Sequence, residues 1–301
     1  MKPVIRKRLT IDFKSLMATA VLAAGLATGG SAALAQPVVD PDALPAIIPD
    51  EMASYADLVA LSDEADLVIR AEIRRQIKVE AERASGVKPG HVRLYIQART
   101  LAVVAGQRGL GESFDYVVDV PLDSRGKVPK LKKREVMLFA KRVRGRPATV
   151  QLVTNTAQFA YSPGLDARLR PILSGLIDSG APPIVTGIAD ALAVKGTLVG
   201  ESETQVFLKT VSGSPVSLTI LRRPNQAPSW GVSWGEIVDS SASAPARETL
   251  RWYRLACALP RSLPSRVNLS RDAEERRLAE QDYRLVIEQL GPCERRITGA
   301  A

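Results

Sequence analysis

The stretch VRLYIQAR at residues 92–99 decides the fold class of this chain. Its apolar residues recur at every second position from Val92 to Ala98, which is the pattern of a half-buried β-strand. The same period of two recurs in four further stretches, which are residues 67–74, 114–120, 136–141 and 149–154. The sequence therefore predicts five strands in its first half.

The segments between these strands carry glycine and proline, which favour tight turns. They read GQRGLG at 106–111, DSRGK at 123–127 and RGRP at 144–147. Five short strands with polar outer faces and tight connections predict a small, partly closed β-barrel of the OB type over residues 57–160.

Residues 161–301 mix helical and strand periods, so we expect a second module there. A helix is expected from Ser162 and Pro163 onward, although Pro171 shortens or kinks it. The predicted strands include residues 204–211 and 216–222, which form a hairpin, and residues 230–238. Two C-terminal helices are expected, over about 245–259 and about 270–290. The fold class is therefore a β-rich α+β protein, with the barrel followed by a β-sheet module and these helices.

Three strings in the second module resemble an uncharacterised family of exported bacterial proteins. They are GESETQVFL at 200–208, WGEIVD at 234–239 and TLRWYRLACALP at 249–260. The resemblance covers roughly 100 residues. It implies export and the architecture given above, and it implies no activity and no site.

The first 35 residues predict a secretory signal peptide. Five basic residues precede an apolar stretch over residues 16–27, and Ala33-Leu34-Ala35 predicts cleavage after Ala35. The alternative is an uncleaved signal anchor. Removal of residues 1–35 takes away five of the 41 basic and one of the 32 acidic residues, so the net charge falls from +9 to +5. Residues 36–56 begin with four prolines at four-residue spacing and predict an extended leader.

Later segments are too short or too charged to cross a membrane, and residues 184–199 are the most apolar of them. We therefore expect a periplasmic or secreted protein. In such a compartment Cys257 and Cys293, the two cysteines of the chain, predict a disulfide bond that ties the last helix to the module. Two buried free thiols are the alternative.

Catalytic and metal chemistry find little support in the sequence. The chain has one histidine, His91, so histidine-based metal sites and acid–base catalysis are not expected. Residues 231–235 match G-x-S-x-G, but a hydrolase of that kind needs a histidine after Ser233. We therefore predict no catalytic residue, no metal and no cofactor. A glycan hydrolase remains an alternative, with a carboxylate pair drawn from Glu201, Glu203, Glu236 and Asp239.

The strand around Trp230 offers one further choice. Trp230, Val232 and Trp234 share one face of this strand, because side chains alternate along it. Two indoles on one face can stack on a carbohydrate, or they can cover the core beneath the C-terminal helices. The core is the interpretation favoured here.

Positive charge is concentrated in residues 127–146, which hold nine basic residues and a single acidic one, Glu135. This segment predicts a basic hairpin with candidate binding residues Lys130, Lys132, Lys133, Arg134, Lys141 and Arg142. An exported protein suits anionic envelope polymers or lipid head groups as partners better than nucleic acid, and aromatic residues are nearly absent from the segment. The leading hypothesis is a non-enzymatic binding module. The alternatives are a solvated edge of the sheet, the glycan hydrolase, or a purely structural protein.

Overall fold

Two antiparallel β-sheets form the framework of the protein. The computed structural model describes residues 44–106, 109–235 and 243–298, which belong to one compact unit spanning Val38–Ala301. Both sheets lie in this unit, so the predicted modules 57–160 and 161–301 are two parts of it. The predicted signal peptide and its cleavage site lie outside the described residues.

The first sheet contains six strands. They are β1 (Leu67–Lys78), β2 (His91–Ala105), β3 (Ser113–Pro121), β4 (Glu135–Arg142), β5 (Val150–Leu152) and β6 (Gln158–Ala160). Their order is β3-β2-β1-β4-β5, and β6 also pairs with β4. Three register shifts between β1 and β2 bend these long strands, and the sheet curls into a half-barrel.

Hydrogen bonds draw the two ends of the curled sheet together. Asp115 on β3 donates its backbone N–H to Ala148 at 2.8 Å, and Asp119 donates to Asn155 at 3.0 Å. Asp115 and Thr149 also form an isolated parallel bridge. The interior is largely apolar, although Gln158 is fully buried there and accepts the hydroxyl of Tyr116, and the largest buried side chains come from every strand but the short β5.

The strand count differs from the sequence prediction, which had five strands. The sixth strand, β6, has three residues, and three residues are too few to show a period of two. The backbone of Ile48 completes its pairing, since Ile48 and Ala160 donate N–H groups to the carbonyls of Gln158 and Ile48 at 3.0 and 2.8 Å. That pairing joins residues far apart in sequence, which local patterns do not reveal.

The predicted leader, residues 36–56, is described from residue 44 onward. Leu44 and Ile48 are buried in the core there, so this part packs against the first sheet instead of standing clear of it. Helix α1 follows (Tyr55–Glu64), and its N-cap Ser54 forms a capping box with Asp57.

The second sheet has four antiparallel strands in the order β10-β9-β8-β7. They are β7 (Val185–Lys195), β8 (Ser202–Thr210), β9 (Val216–Arg222) and β10 (Ser229–Ser233). Strands β8 and β9 form the predicted hairpin. Trp230 is buried and donates its indole N–H to Gln289 of the last helix at 2.7 Å. This confirms the core interpretation for Trp230.

Three more helices complete the fold, α2 (Pro163–Ile177), α3 (Leu250–Ala256) and α4 (Ala273–Leu290). Helix α3 is shorter than predicted, because Thr249 caps it and it ends before Cys257. The N-cap of helix α4 is Asp272 and not Ser270. The hydroxyl of Ser270 instead accepts the backbone N–H of Ala193. Within the described part of the chain, the helices are too short or too polar to span a membrane.

Candidate functional site

The candidate binding residues do not lie on one hairpin. Strand β4 separates them into two groups, because it pairs with β1 and β5 along its length. Lys130, Lys132, Lys133 and Arg134 precede the strand and form what we call the basic turn. Lys141 and Arg142 lie at its other end. Eight residues in a strand place the two groups roughly 23 Å apart.

The basic turn has a fixed backbone. Arg134 donates its N–H to the carbonyl of Leu131 at 3.0 Å, which closes a β-turn over residues 131–134. Leu131 is buried in the core and holds one corner of the turn. Lys133, the third residue of the turn, has φ 69°, a left-handed conformation that glycine adopts far more readily than lysine.

Strand β1 holds the basic turn against the sheet. The side-chain amide of Gln76 donates to the carbonyl of Pro129 at 2.8 Å and accepts the N–H of Leu131 at 2.6 Å. Ile73 accepts the N–H of Lys133 at 2.7 Å and donates to the carbonyl of Arg134 at 3.0 Å. With four hydrogen bonds on the backbone, the lysine and arginine side chains are left to project into solvent.

Positive charge at the basic turn is not balanced by nearby carboxylates. Its four basic side chains are exposed, as is the side chain of Arg75 on the adjoining part of β1. Among the residues that the structure describes, these five form no ion pair. The five side chains therefore form an exposed patch of positive charge that ion pairs with described residues do not neutralise.

The neighbouring part of the same sheet is different, because its cations are paired. Arg70 contacts Glu135 at 2.7 Å, and Arg99 and Arg74 contact Glu72 at 2.8 and 3.2 Å. The hydrogen bonds that Arg70 donates to Glu135 raise the pKa of its guanidinium, and Arg70 also lies 3.7 Å from the ring centre of Tyr161. Arginines in this part of the sheet are thus paired with glutamates, whereas, among the described residues, the basic side chains of the adjoining basic turn are not.

No protein-family model matches this chain, and a search of the curated proteins finds no match either. Evidence on function therefore comes from the structure of this chain alone.

The second group of predicted residues lies close to acidic side chains. Lys141 is 3.5 Å from the carboxylate of Glu64, and the backbone N–H of Arg142 donates to Asp66 at 2.9 Å. The turn after β4 adds Arg144 and Arg146, which the predicted binding residues did not include. Arg142, Arg144 and Arg146 line a small cavity.

The carboxylates of the alternative hydrolase are only partly described. Glu201 and Glu203 line one open groove of ≈ 730 Å³ on the second sheet, while Glu236 and Asp239 lie outside the described residues. Glu203 accepts the side-chain amide of Gln205 at 2.8 Å, and Glu201 accepts the N–H of Leu198 at 3.3 Å. Both acids thus have partners within their own strand or loop.

The serine of the G-x-S-x-G match is not placed as a nucleophile. Ser233 is the last residue of β10 and is buried, whereas a nucleophile elbow exposes its serine between a strand and a helix. His91 begins β2 in the other sheet. In the described part of the chain, no three His, Cys, Asp or Glu side chains lie together as a metal site would require.

The predicted disulfide is present. Cys257 and Cys293 are bonded, with their Cα atoms 5.1 Å apart, and they tie the end of α3 to the residues that follow α4. Beyond it the chain returns to α1, where Asp57 accepts backbone N–H groups from Arg296, Ile297 and Thr298 at 2.9 to 3.0 Å. These bonds outweigh the effect of burial and hold the pKa of Asp57 below its usual value. Neither the contacts of Asp57 with residues 296–298 nor the role of Gln76 was predicted from the sequence.

Proposed function

We propose that the protein is a non-enzymatic binding module of the cell envelope and that the basic turn contacts an anionic partner. One observation carries the proposal. Five exposed cations, Arg75 and the four of the basic turn, form no ion pair among the described residues and sit on a backbone that four hydrogen bonds hold in place. A patch of this kind attracts polyanions before contact, and its backbone, though not its flexible side chains, loses little freedom on binding.

The conformation of Lys133 supports the same interpretation. A non-glycine residue in the left-handed region costs about 1–2 kcal/mol, and strained residues of this kind gather at functional sites. Glycine would relieve that strain, yet this position carries a lysine. A requirement for charge at the turn explains the residue.

The class of partner follows from the cellular compartment that the sequence predicts. We infer export to the periplasm or beyond, and the disulfide bond supports it because such bonds persist in oxidising compartments. Membership of the exported family that the three strings resemble remains part of this proposal. The anions present in that compartment are the phosphate and carboxylate groups of envelope polymers and lipid head groups. Nucleic acid fits poorly, because Phe139 of this segment is buried and offers no stacking surface.

We also infer that the first sheet is an OB-like barrel. The order β3-β2-β1-β4-β5 supports it, as does the parallel bridge between Asp115 and Thr149, because together they bring the ends of five strands into a ring. Strand β6 lies outside that ring.

The proposal is tested with a charge reversal at the turn. We expect K132E/K133E to bind phosphatidylglycerol vesicles and dextran sulfate about tenfold or more weakly than the unchanged chain, since each basic residue near an anionic surface contributes about 1 kcal/mol. Vesicle cosedimentation and the retention of the protein on a polyanion column, both at low salt, measure the effect. The two probes separate lipid head groups from polymers.

The matched control reverses two exposed arginines on α4, as R277E/R284E. It changes the net charge by the same amount at a site outside the basic turn, so its binding should stay within about twofold of the unchanged chain. Equal losses in both variants would mean that only net charge matters, and no loss in K132E/K133E would remove the basic turn from the function.

A further inference from the structure

A second cationic feature, which we call the arginine pocket, lies at the opposite end of β4 from the basic turn. It is a cavity of ≈ 230 Å³ lined by Arg142, Arg144 and Arg146 and by apolar side chains of Leu67, Leu110 and Val150. Leu67 and Val150 belong to the core, and Leu110 packs against it. The pocket thus combines apolar residues of the core with three arginine residues.

The backbone around the pocket is fixed before any ligand arrives. Arg146 donates its N–H to the carbonyl of Val143 at 3.0 Å, and Gly145, with φ 75°, supplies the left-handed residue of this turn. Thr149 donates to Arg146 at 3.0 Å, and Ala148 accepts the N–H of Asp115 from β3 at 2.8 Å. The turn is therefore held from both sides, which lowers the entropy lost when a ligand orders it.

Positive charge dominates the rim. Arg144 and Arg146 are exposed, and in the described parts of the chain neither forms an ion pair. Asp66 lies next to Arg142, whose backbone N–H it accepts at 2.9 Å, and Glu64 lies 3.5 Å from Lys141. Arg144 and Arg146 thus bring positive charge to the cavity, and the two acids beside it engage the backbone of Arg142 and the ammonium group of Lys141.

We propose that the arginine pocket binds a small phosphomonoester, with the phosphate on the guanidinium groups and a compact apolar group against Leu110. Guanidinium groups present a planar fork of donors that matches a phosphate, and a dianion is best balanced by more than one of them. The cavity is smaller than the roughly 300–1,000 Å³ of sites for drug-sized ligands, so the apolar part must be compact. This site is separate from the basic turn and does not depend on the function proposed for it.

Calorimetric titration of the full chain with phenyl phosphate tests the proposal. We expect saturable binding at one site, tighter than for inorganic phosphate because the ring contacts the apolar wall. R144Q/R146Q should weaken it about tenfold or more, since hydrogen bonds to charged groups are lost. The control R277Q/R284Q removes the same charge on α4 and should bind within about twofold of the unchanged chain.

Protection from chemical modification gives a second measurement that needs no variant. Phenylglyoxal modifies accessible arginines, and phenyl phosphate should slow its reaction with Arg144 and Arg146 but not with the exposed Arg277 on α4. Peptide mass spectrometry reads each site. Absence of saturable binding, equal losses in R144Q/R146Q and R277Q/R284Q, or equal protection of all three arginines would each overturn the proposal. Vesicle binding by K132E/K133E is independent of these results, so the two proposals fail separately.

Discussion

The two sheets are stabilised in different ways. The interior of the first sheet is largely apolar, and the ion pairs Arg70–Glu135 and Arg99–Glu72 lie on its outer surface, whereas Arg93–Asp119 is more buried, with side chains 21% and 10% exposed. The second sheet packs on α4 through apolar residues and also through a buried polar group. Asp282 of α4 is 0% exposed, accepts the hydroxyl of Thr204 at 2.5 Å, and pairs with Arg222 at 2.6 Å. A disulfide then ties the end of α4 to α3.

The position of an ion pair decides how much the fold depends on it. An exposed pair gains little because water and salt screen it, whereas a buried carboxylate that loses its cation leaves a charge with no partner in a medium of low dielectric. The exposed ion pairs of the first sheet should therefore tolerate charge changes that the Arg222–Asp282 pair does not. Five changes test this comparison, and the largest effect is expected at the disulfide.

Replacement of both cysteines, as C257S/C293S, should lower the free energy of unfolding by about 4 kcal/mol, because the bond closes a loop with a sequence separation of 36. Urea denaturation without reductant measures it. Hydrogen exchange should show the loss of protection in α4 and β10 before β2, since the bond anchors the second sheet. Equal loss of protection in both sheets would contradict the comparison.

The next effect is expected at the buried pair. Arg222→Ala should destabilise the protein by about 3 kcal/mol, at the low end for a broken buried pair because the Arg222 side chain is 29% exposed. Arg99→Ala is the matched control on the first sheet. Its side chain is 50% exposed, and its loss should cost less than about 1 kcal/mol. Similar values for the two variants would show that the buried position does not matter.

A triple variant separates the pair from the packing. T204V/R222M/D282L replaces both charges, and the Thr204 hydroxyl that donates to Asp282, with apolar side chains and should recover much of the stability that Arg222→Ala loses, because no buried polar group is left without a partner. No recovery would mean that Arg222 stabilises the sheet through contacts other than Asp282.

Asp57 connects the two regions, since it lies on α1 and binds the backbone after α4. Its pKa is lower in the folded protein than in the unfolded chain, so its contribution is complete above the unfolded value of 3.8 and is lost as the pH falls below that value. Asp57→Asn should lower the free energy of unfolding at pH 7 by about 2 kcal/mol, as expected for hydrogen bonds to a charged group.

The measurement is urea denaturation of both proteins between pH 7 and pH 2. The gap between the unchanged chain and Asp57→Asn should narrow on the acid side, because protonation removes the same charge from Asp57. A gap that stays constant with pH would assign the effect of the substitution to packing alone.

Sequence patterns predicted the parts of the fold that local residues determine. The alternation in residues 92–99 gave β2, and the two runs around Gly213 gave the β8–β9 hairpin, because strand periods and turn residues are local signals. The disulfide followed from two cysteines and a predicted oxidising compartment. The three-residue strand β6 was missed, since Ile48 completes it from a distant part of the chain.

The candidate site was predicted by residue type but not by arrangement. The cluster of charges in residues 127–146 is visible in the sequence, whereas the separation by β4 depends on its pairing with β1 and β5. Gln76 follows β1 residues that carry many charges and gives no sign that it binds a loop 53 residues later. The contacts of Asp57 span about 240 residues, so only its capping box with Ser54 was open to a local pattern.

The smallest effect is expected at Lys133, and it separates stability from binding on the first sheet. Glycine adopts the left-handed φ of 69° without strain, so Lys133→Gly removes a penalty of about 1–2 kcal/mol. Glycine also gives the unfolded chain more freedom, which offsets about 0.4–1 kcal/mol. The free energy of unfolding should therefore rise by about 0–1.6 kcal/mol in urea denaturation, while binding to phosphatidylglycerol vesicles falls. Lys132→Gly is the control, because residue 132 has no positive φ and its substitution should lower stability. If Lys133→Gly stabilised the chain and left vesicle binding unchanged, the strain at this turn would have no part in the proposed function.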